Sequence, residues 1–406
     1  MLTTTTPVGS NRQRALIALV QVLGLCVWFS ATAVVPTLRT EWNIGESAAV
    51  WLTASVQIGF VVGAITSTVL NLADRIAPQR LLAASALAAG ACTAILAWQV
   101  SGLAAAIPLR FLTGFFLAGI YPVGMKLMAS WSDSSNRGKS FGVLLGALTL
   151  GSALPHLIGS FGPLPWRAVM GVASGLTLIA AAIAITSIAA GPSLDTRPIT
   201  PNPRYALAMF RERGPRLANL GYFGHMWELY ALWTWISLFV LSGREQRGDS
   251  TGATGLIAFG AIGIAGVIGC LVGGWASDRF GRSFAAVTAL AISGSCCLLS
   301  PFFFTATTPV LVVFLFVWGA SVIADSGVFS TTLSETADSR FIGTALTAQT
   351  AIGFLLTVVT IQFVPVLAAV VGWQFAFWLL APGPAIGAIA MWALRARTHN
   401  TLGAPS

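Results

Sequence analysis

GWASDRFGRS occupies residues 274–283, and a looser version of it, LNLADRIAPQR, occupies residues 70–80. Each follows a long apolar run, and the shared Asp-Arg pairs at 74–75 and 278–279 stand 204 positions apart. Three further pairs keep nearly the same interval: WR (166–167) with WQ (373–374), NRGKSFG (136–142) with SRFIG (339–343), and Trp28 with Trp233. Convergent loop chemistry could produce one such match. Four at a nearly constant offset indicate a duplication of half the chain.

Composition says what was duplicated. Of 406 residues, 56% are hydrophobic and 9% charged, and the mean hydropathy is +0.81. A soluble domain carries roughly a quarter charged residues, so this chain cannot cover a water-facing surface and is read as an integral membrane protein. Twelve apolar runs are long enough to cross a bilayer: 14–36, 48–70, 80–100, 103–129, 140–162, 166–190, 217–242, 253–276, 283–304, 308–333, 341–368 and 372–395. Backbone groups in lipid must be satisfied internally, so the runs are helices. The fold class is all-α, with twelve transmembrane helices in two pseudo-symmetric six-helix bundles. Residues 1–190 form the first, 191–216 a central loop, and 217–406 the second with a short tail. Arg12 and Arg14 precede the first run, but its length is nearer a span than a cleaved signal core.

Charge placement orients the chain. With the N-terminus inside, sixteen Lys and Arg fall in cytoplasmic segments and four (Arg39, Arg167, Arg244, Arg247) outside. Both termini are therefore expected in the cytoplasm, with the chain multi-pass in the inner membrane. The net charge of +9 is a topology signal, and no nucleic-acid partner is expected. The central segment 191–216 ends in basic residues suited to the anionic inner leaflet. The five cysteines lie in apolar runs without metal-site spacing and read as packing residues, so neither a metal nor a cofactor is expected. No GxxxxGK[ST], HExxH or Ser/His/Asp pattern is visible, which argues against an enzyme.

These motifs resemble the Major Facilitator Superfamily over nearly the whole chain. Its loop motif is well kept in Gly274, Asp278, Arg279, Gly281 and Arg282. The first copy keeps Asp74, Arg75 and Arg80 but has Leu70 and Ala77 in place of glycine, and Pro78 in place of a basic residue. RFLTGFFLAGIYP (110–122) is similar to the family's fourth-span pattern in Arg110, Gly114, Gly119 and Pro122. GALTLGSALPHLIG (146–159) keeps only part of the antiporter signature, with Leu154 in place of a glycine. The pseudo-symmetry implies that Asp74 meets the start of span 11 near Arg340, and Asp278 the start of span 5 near Arg137. Such bonds would close the cytoplasmic side.

Ionisable groups within a bilayer are costly and point to function. Arg110 lies about 10 Å below the outer end of its span, where it either holds helix carbonyls or faces a cavity. Lys126 lies near an inner end and is expected to snorkel. Glu228 lies roughly 16 Å into span 7, with His225 one turn away on the same face. Trp318, Ser321, Asp325 and Phe329 share a face of span 10, Thr149, Ser152 and His156 one of span 5, and Gln21 and Trp28 one of span 1. The resemblance implies that spans 1, 4, 7 and 10 line the central path and spans 2, 5, 8 and 11 flank it. Glu228, His225 and Asp325 are then candidates for the proton or substrate pathway, with Arg110, His156 and Gln21. Trp28, Tyr121, Trp235 and Trp318 would form apolar walls, and His225 is the expected partner of Glu228. The expected function is secondary active transport of a small polar solute by rocker-switch alternating access, coupled to protons and carried out by a monomer. Symport and efflux antiport both remain open. A non-transporting sensor or scramblase is the alternative from another class, which flux in proteoliposomes separates.

Overall fold

The computed structural model describes residues 9–132, 137–161, 164–194 and 203–402. Ten helices are long and apolar enough to cross a membrane among the described residues. The first and seventh spans complete the twelve, and each falls outside that set for its own reason. The first is broken into Ser10–Leu25, Ser30–Ala33 and Val35–Glu41. The seventh, Arg213–Arg247, is one helix of 35 residues that carries His225 and Glu228 in its apolar stretch. These two spans are pseudo-repeats of each other.

The remaining spans are Trp51–Val69, Pro78–Gln99, Leu103–Leu117 continued by Tyr121–Ser130, Arg137–Gly159 and Trp166–Ser187 in the first half. The second half adds Thr254–Phe259 leading through a π-helical turn into Ala265–Phe280, then Arg282–Phe303, Thr308–Ala324 continued by Ser326–Thr336, Ile342–Val371 and Pro382–Leu402. Span 5 runs through Pro155 as a single helix. Spans 4 and 10 are both interrupted, at 118–120 and at Asp325.

Packing repeats with the sequence. Spans 2 and 4 cross closely because Gly114 has no side chain; a Cβ there would stand 2.0 Å from Val56 O. Gly319 does the same for spans 8 and 10, where a Cβ would stand 1.9 Å from Ala261 O. Such contact is how helices approach in lipid, where van der Waals packing holds them together. The halves meet along spans 2 and 11 and along spans 5 and 8. Large apolar side chains such as Phe302 and Val370 point outward, as a lipid-facing surface requires.

Outside the spans, helix Pro203–Ala208 of the central connection docks on the second half. The Tyr205 hydroxyl accepts the Asp338 N–H at 2.7 Å, and its ring lies 5.1 Å from that of Phe341. At the end of the first span Glu41 accepts from Trp166 Nε1 at 2.5 Å and Arg167 Nη1 at 2.7 Å. Arg167 and then Trp166 hold its carboxyl below the usual range.

Candidate functional site

Three buried ionisable groups lie between spans 7 and 10. Glu228, 1% exposed, accepts from Trp318 Nε1 at 2.7 Å and Cys297 Sγ at 3.2 Å. His225 Nδ1 lies 2.8 Å from Asp325 Oδ1. Its Nε2 lies 2.9 Å from Ser326 Oγ. The partner expected for Glu228 is thus corrected: His225 pairs with Asp325, and Glu228 with an indole and a thiol. The reason is geometric. Groups three apart on one helix point in parallel, so each meets a different turn of span 10. Cys297 is also more than packing, which no spacing rule for metals or disulfides would reveal.

Asp325 closes Thr308–Ala324 and precedes Ser326–Thr336, so its carboxylate sits at the break in span 10. The first half has the same arrangement without charge. Gln21, 204 residues before His225, donates through Nε2 to Ile120 O at 3.0 Å, at the break in span 4. Tyr121 follows that break, half-buried.

Arg110 is fully buried and holds carbonyls. Nε donates to Leu52 O at 3.0 Å, Nη1 to Val27 O at 2.9 Å, and Nη2 to Trp28 O. Val27 and Trp28 lie in the break of the first span. Hydrogen bonds from a charged donor contribute about 1.5–3 kcal/mol each, which offsets a desolvation cost of several kcal/mol. No carboxylate among the described residues pairs with this guanidinium.

The interface between the halves is aromatic. Trp28 lies 5.0 Å from Phe60, 5.7 Å from Tyr230 and 5.8 Å from Phe354. Phe29 meets Trp233 at 5.9 Å. Tyr230, Trp233 and Ser237 therefore mark the face of span 7 that meets the first half. Glu228, two residues before Tyr230, lies on the opposite side of the helix, inside the second bundle. Farther out, Ser237 Oγ lies 3.1 Å from His156 Nδ1, a contact across the halves. Trp235 donates to Ile361 O at 3.0 Å. A pocket of about 30 Å³ opens there, lined among others by Thr32, Arg39, Thr53, Thr234 and Ser237. That is room for about one water molecule. At the other end of span 2, Thr68 and Thr347 touch across the halves at 3.2 Å.

The loop motif acts differently from expectation. Asp74 binds Lys126 of span 4, and Arg340 binds Asp338 at 2.7 Å. Lys126 is thereby held rather than snorkelling freely. The nearer cation on the same bundle satisfies Asp74 before span 11 is reached. Arg282 binds Glu335 at the inner end of span 10, the counterpart with the signs reversed. Asp278, Arg279, Arg75 and Arg80 are exposed. The expected Asp278–Arg137 contact cannot be placed, since the Arg137 side chain lies outside the described residues. Gly281 has φ +89, a conformation that favours glycine, whereas Ala77 before Pro78 has φ −52. Gly274 faces open space.

Two six-helix bundles, buried ionisable groups that among the described residues fall on spans 4, 5, 7 and 10, and an aromatic seam between the bundles define the class: a membrane transporter with pseudo-symmetric halves. The Major Facilitator Superfamily model matches residues 17–361, and the chain belongs to that family. Its members are transporters rather than enzymes. In fold the chain is similar to a proton:xylose symporter, XylE, bound to 6-bromo-6-deoxy-D-glucose, with a TM-score of 0.69, 17% identity, and 95% of this chain and 96% of that chain covered. It is also similar to the xylose transporter XylE from E. coli in a partially occluded inward-open conformation, with a TM-score of 0.70, 16% identity, and 95% and 99% covered. A gallate transporter of Pseudomonas putida is 24% identical over 299 residues, 65% of this chain. The match spans 64% of that relative's length.

Proposed function

We propose that this protein is a proton-coupled secondary transporter of a small polar organic solute in the inner membrane, working as a monomer with both termini cytoplasmic. Its halves rock about the aromatic seam, and Glu228 with the His225–Asp325 pair takes up and releases the coupled proton. The observation that carries this reading is the burial of all three groups, each at most 2% exposed, around the break in span 10. A charge in that position is costly. Gaining or losing a proton changes the bonds that hold span 7 to span 10, and so biases the bend. Glu228 lies behind the face that meets the first half, so coupling runs through the shape of the second bundle rather than through contact with solute. The proton:xylose symporter and the gallate transporter support coupling and a small organic cargo, respectively.

A ligand-stabilisation screen supplies the solute for uptake assays in proteoliposomes with and without an inward proton gradient. Gradient-driven accumulation that Glu228→Gln abolishes is the expected result. Uptake that ignores the gradient and is unchanged in Glu228→Gln sinks the proposal. If Glu228→Gln lowers the Tm while coupling survives, the carboxylate only pins helices.

A further inference from the structure

One cation of the second half is left over, and it stands on the lipid side of the bundle. At the loop-motif end of spans 8 to 12, Glu335 binds Arg282 and Asp338 binds Arg340. Asp278 stands exposed beside Arg279. Arg395 is the fourth cation against these three acids, and the sequence holds no Asp or Glu after Asp338. No carboxylate among the described residues pairs with it, and what holds it is aromatic. Its Cζ lies 5.2 Å from the ring centre of Phe284 and 5.6 Å from that of Trp392.

The rings continue along the surface. Phe284 lies 5.8 Å from Phe280, and Phe280 lies 5.5 Å from Trp275. All four rings are exposed, so they face the surroundings of the bundle rather than its core. The apolar stretch of span 8 ends at Phe280, that of span 9 begins at Arg282, and that of span 12 ends at Arg395. The patch therefore lies where three spans leave the hydrocarbon, the depth at which indole rings meet lipid headgroups. The matching corner of the first half is bare. Arg80 is exposed there, but residues 61–90 and 171–190 contain no Phe, Tyr or Trp. A snorkelling arginine needs no aromatic cradle.

An occupant of this patch must carry an apolar chain at the depth of the rings and an anion at their edge. A guanidinium held on two rings offers N–H donors suited to phosphate oxygens, and a phospholipid supplies both parts in one molecule. With one cation in excess, a headgroup that brings its own ammonium is disfavoured. We infer that this corner binds one anionic glycerophospholipid, its phosphate on Arg395 and its acyl chains along Phe284, Phe280 and Trp275. The site is separate from the buried groups of spans 7 and 10.

Native mass spectrometry of the purified chain, delipidated in detergent, tests the inference with phosphatidylglycerol, phosphatidylcholine of the same acyl chains, and inorganic phosphate. One phosphatidylglycerol is expected to stay bound where phosphatidylcholine is lost, and equimolar inorganic phosphate does not displace it. Arg395→Gln weakens phosphatidylglycerol binding about fivefold or more. Trp392→Leu keeps the charge but frees it, and weakens binding about threefold. Arg80→Gln, a cation without rings at the matching corner, leaves binding unchanged. All three variants run as the parent does in gel filtration; a change of oligomeric state in Trp392→Leu would make the patch an interface between copies and overturn the inference. Equal retention of the two lipids, displacement by inorganic phosphate, equal losses in Arg395→Gln and Arg80→Gln, or binding intact in both Arg395→Gln and Trp392→Leu overturns it as well.

Discussion

The break in span 4 and the break in span 10 are held from the same place by different chemistry. In the first half Gln21 reaches the carbonyl of Ile120, and the contact is neutral at any ordinary pH. In the second half His225 reaches Asp325, 205 residues after Ile120, and both are ionisable residue types. One duplicated scaffold thus holds one bend with a neutral amide and the other with two ionisable side chains. The inner clasps diverge as well. Asp74–Lys126 and Arg282–Glu335 occupy matching corners with opposite polarity, and both lie within a half. They stiffen each bundle rather than latch the two together.

The comparison is most easily broken at the crossings that both halves share. Gly114→Leu and Gly319→Leu each place a side chain on a neighbouring backbone, 2.0 Å and 1.9 Å away at Cβ. Each is expected to cost about 3 kcal/mol or more, read as loss of monodisperse protein in gel filtration. A large loss in one and not the other would deny the equivalence of the halves.

His225→Gln turns the second bend into a copy of the first. The gradient dependence of uptake is expected to fall about tenfold or more, whereas Gln21→His keeps it within about threefold, because a ring N–H can still reach the Ile120 carbonyl. Equal losses in both would mean that the contrast between the bends has no bearing on coupling.

Smaller effects separate the clasps. The side chains of Lys126 and Asp74 are 21% and 12% exposed, against 38% and 57% for Arg282 and Glu335. Lys126→Met should therefore cost about 1 kcal/mol and Glu335→Gln less than about 0.5 kcal/mol, as measured by chemical denaturation. The reverse order would refute the ranking by burial.

The least effect is expected at Asp338. Its hydrogen bonds with Arg340 bring its carboxyl down to about 2. A depressed pKa contributes stability that is complete above the unfolded value of 3.8 and lost as the pH falls through about 2. Between about pH 5 and 8 the group stays ionised, so Asp338→Asn should leave the pH profile of uptake unchanged. A displaced profile would place the pH response in the connection before span 11 rather than in spans 7 and 10.

Helical period and apolar length were enough to place the spans, and the faces of spans 7 and 10 were legible because His225, Glu228, Trp318 and Asp325 keep helical spacing. Their pairing was not legible. Spacing along one helix cannot say which turn of another stands opposite, and so Glu228 was matched with His225 rather than Trp318. Asp74 was matched across the halves because pseudo-symmetry relates positions without ranking nearer partners such as Lys126. Cys297 gave no signal in the sequence, since a thiol in an apolar run is conspicuous only once its surroundings show what it bonds. The break at 118–120 has a local cause, since Pro122 has no N–H to return to the carbonyl of Ala118, whereas the break at Asp325 has no proline beside it.

The docking of Pro203–Ala208 on the second half through Tyr205 makes the connection between the bundles a leash tied at one end. A spectroscopic label on that helix rides with the second bundle. Paired with a label at the Ser130 end of span 4, it becomes a ruler for the separation of the halves, placed clear of the buried ionisable groups of spans 7 and 10.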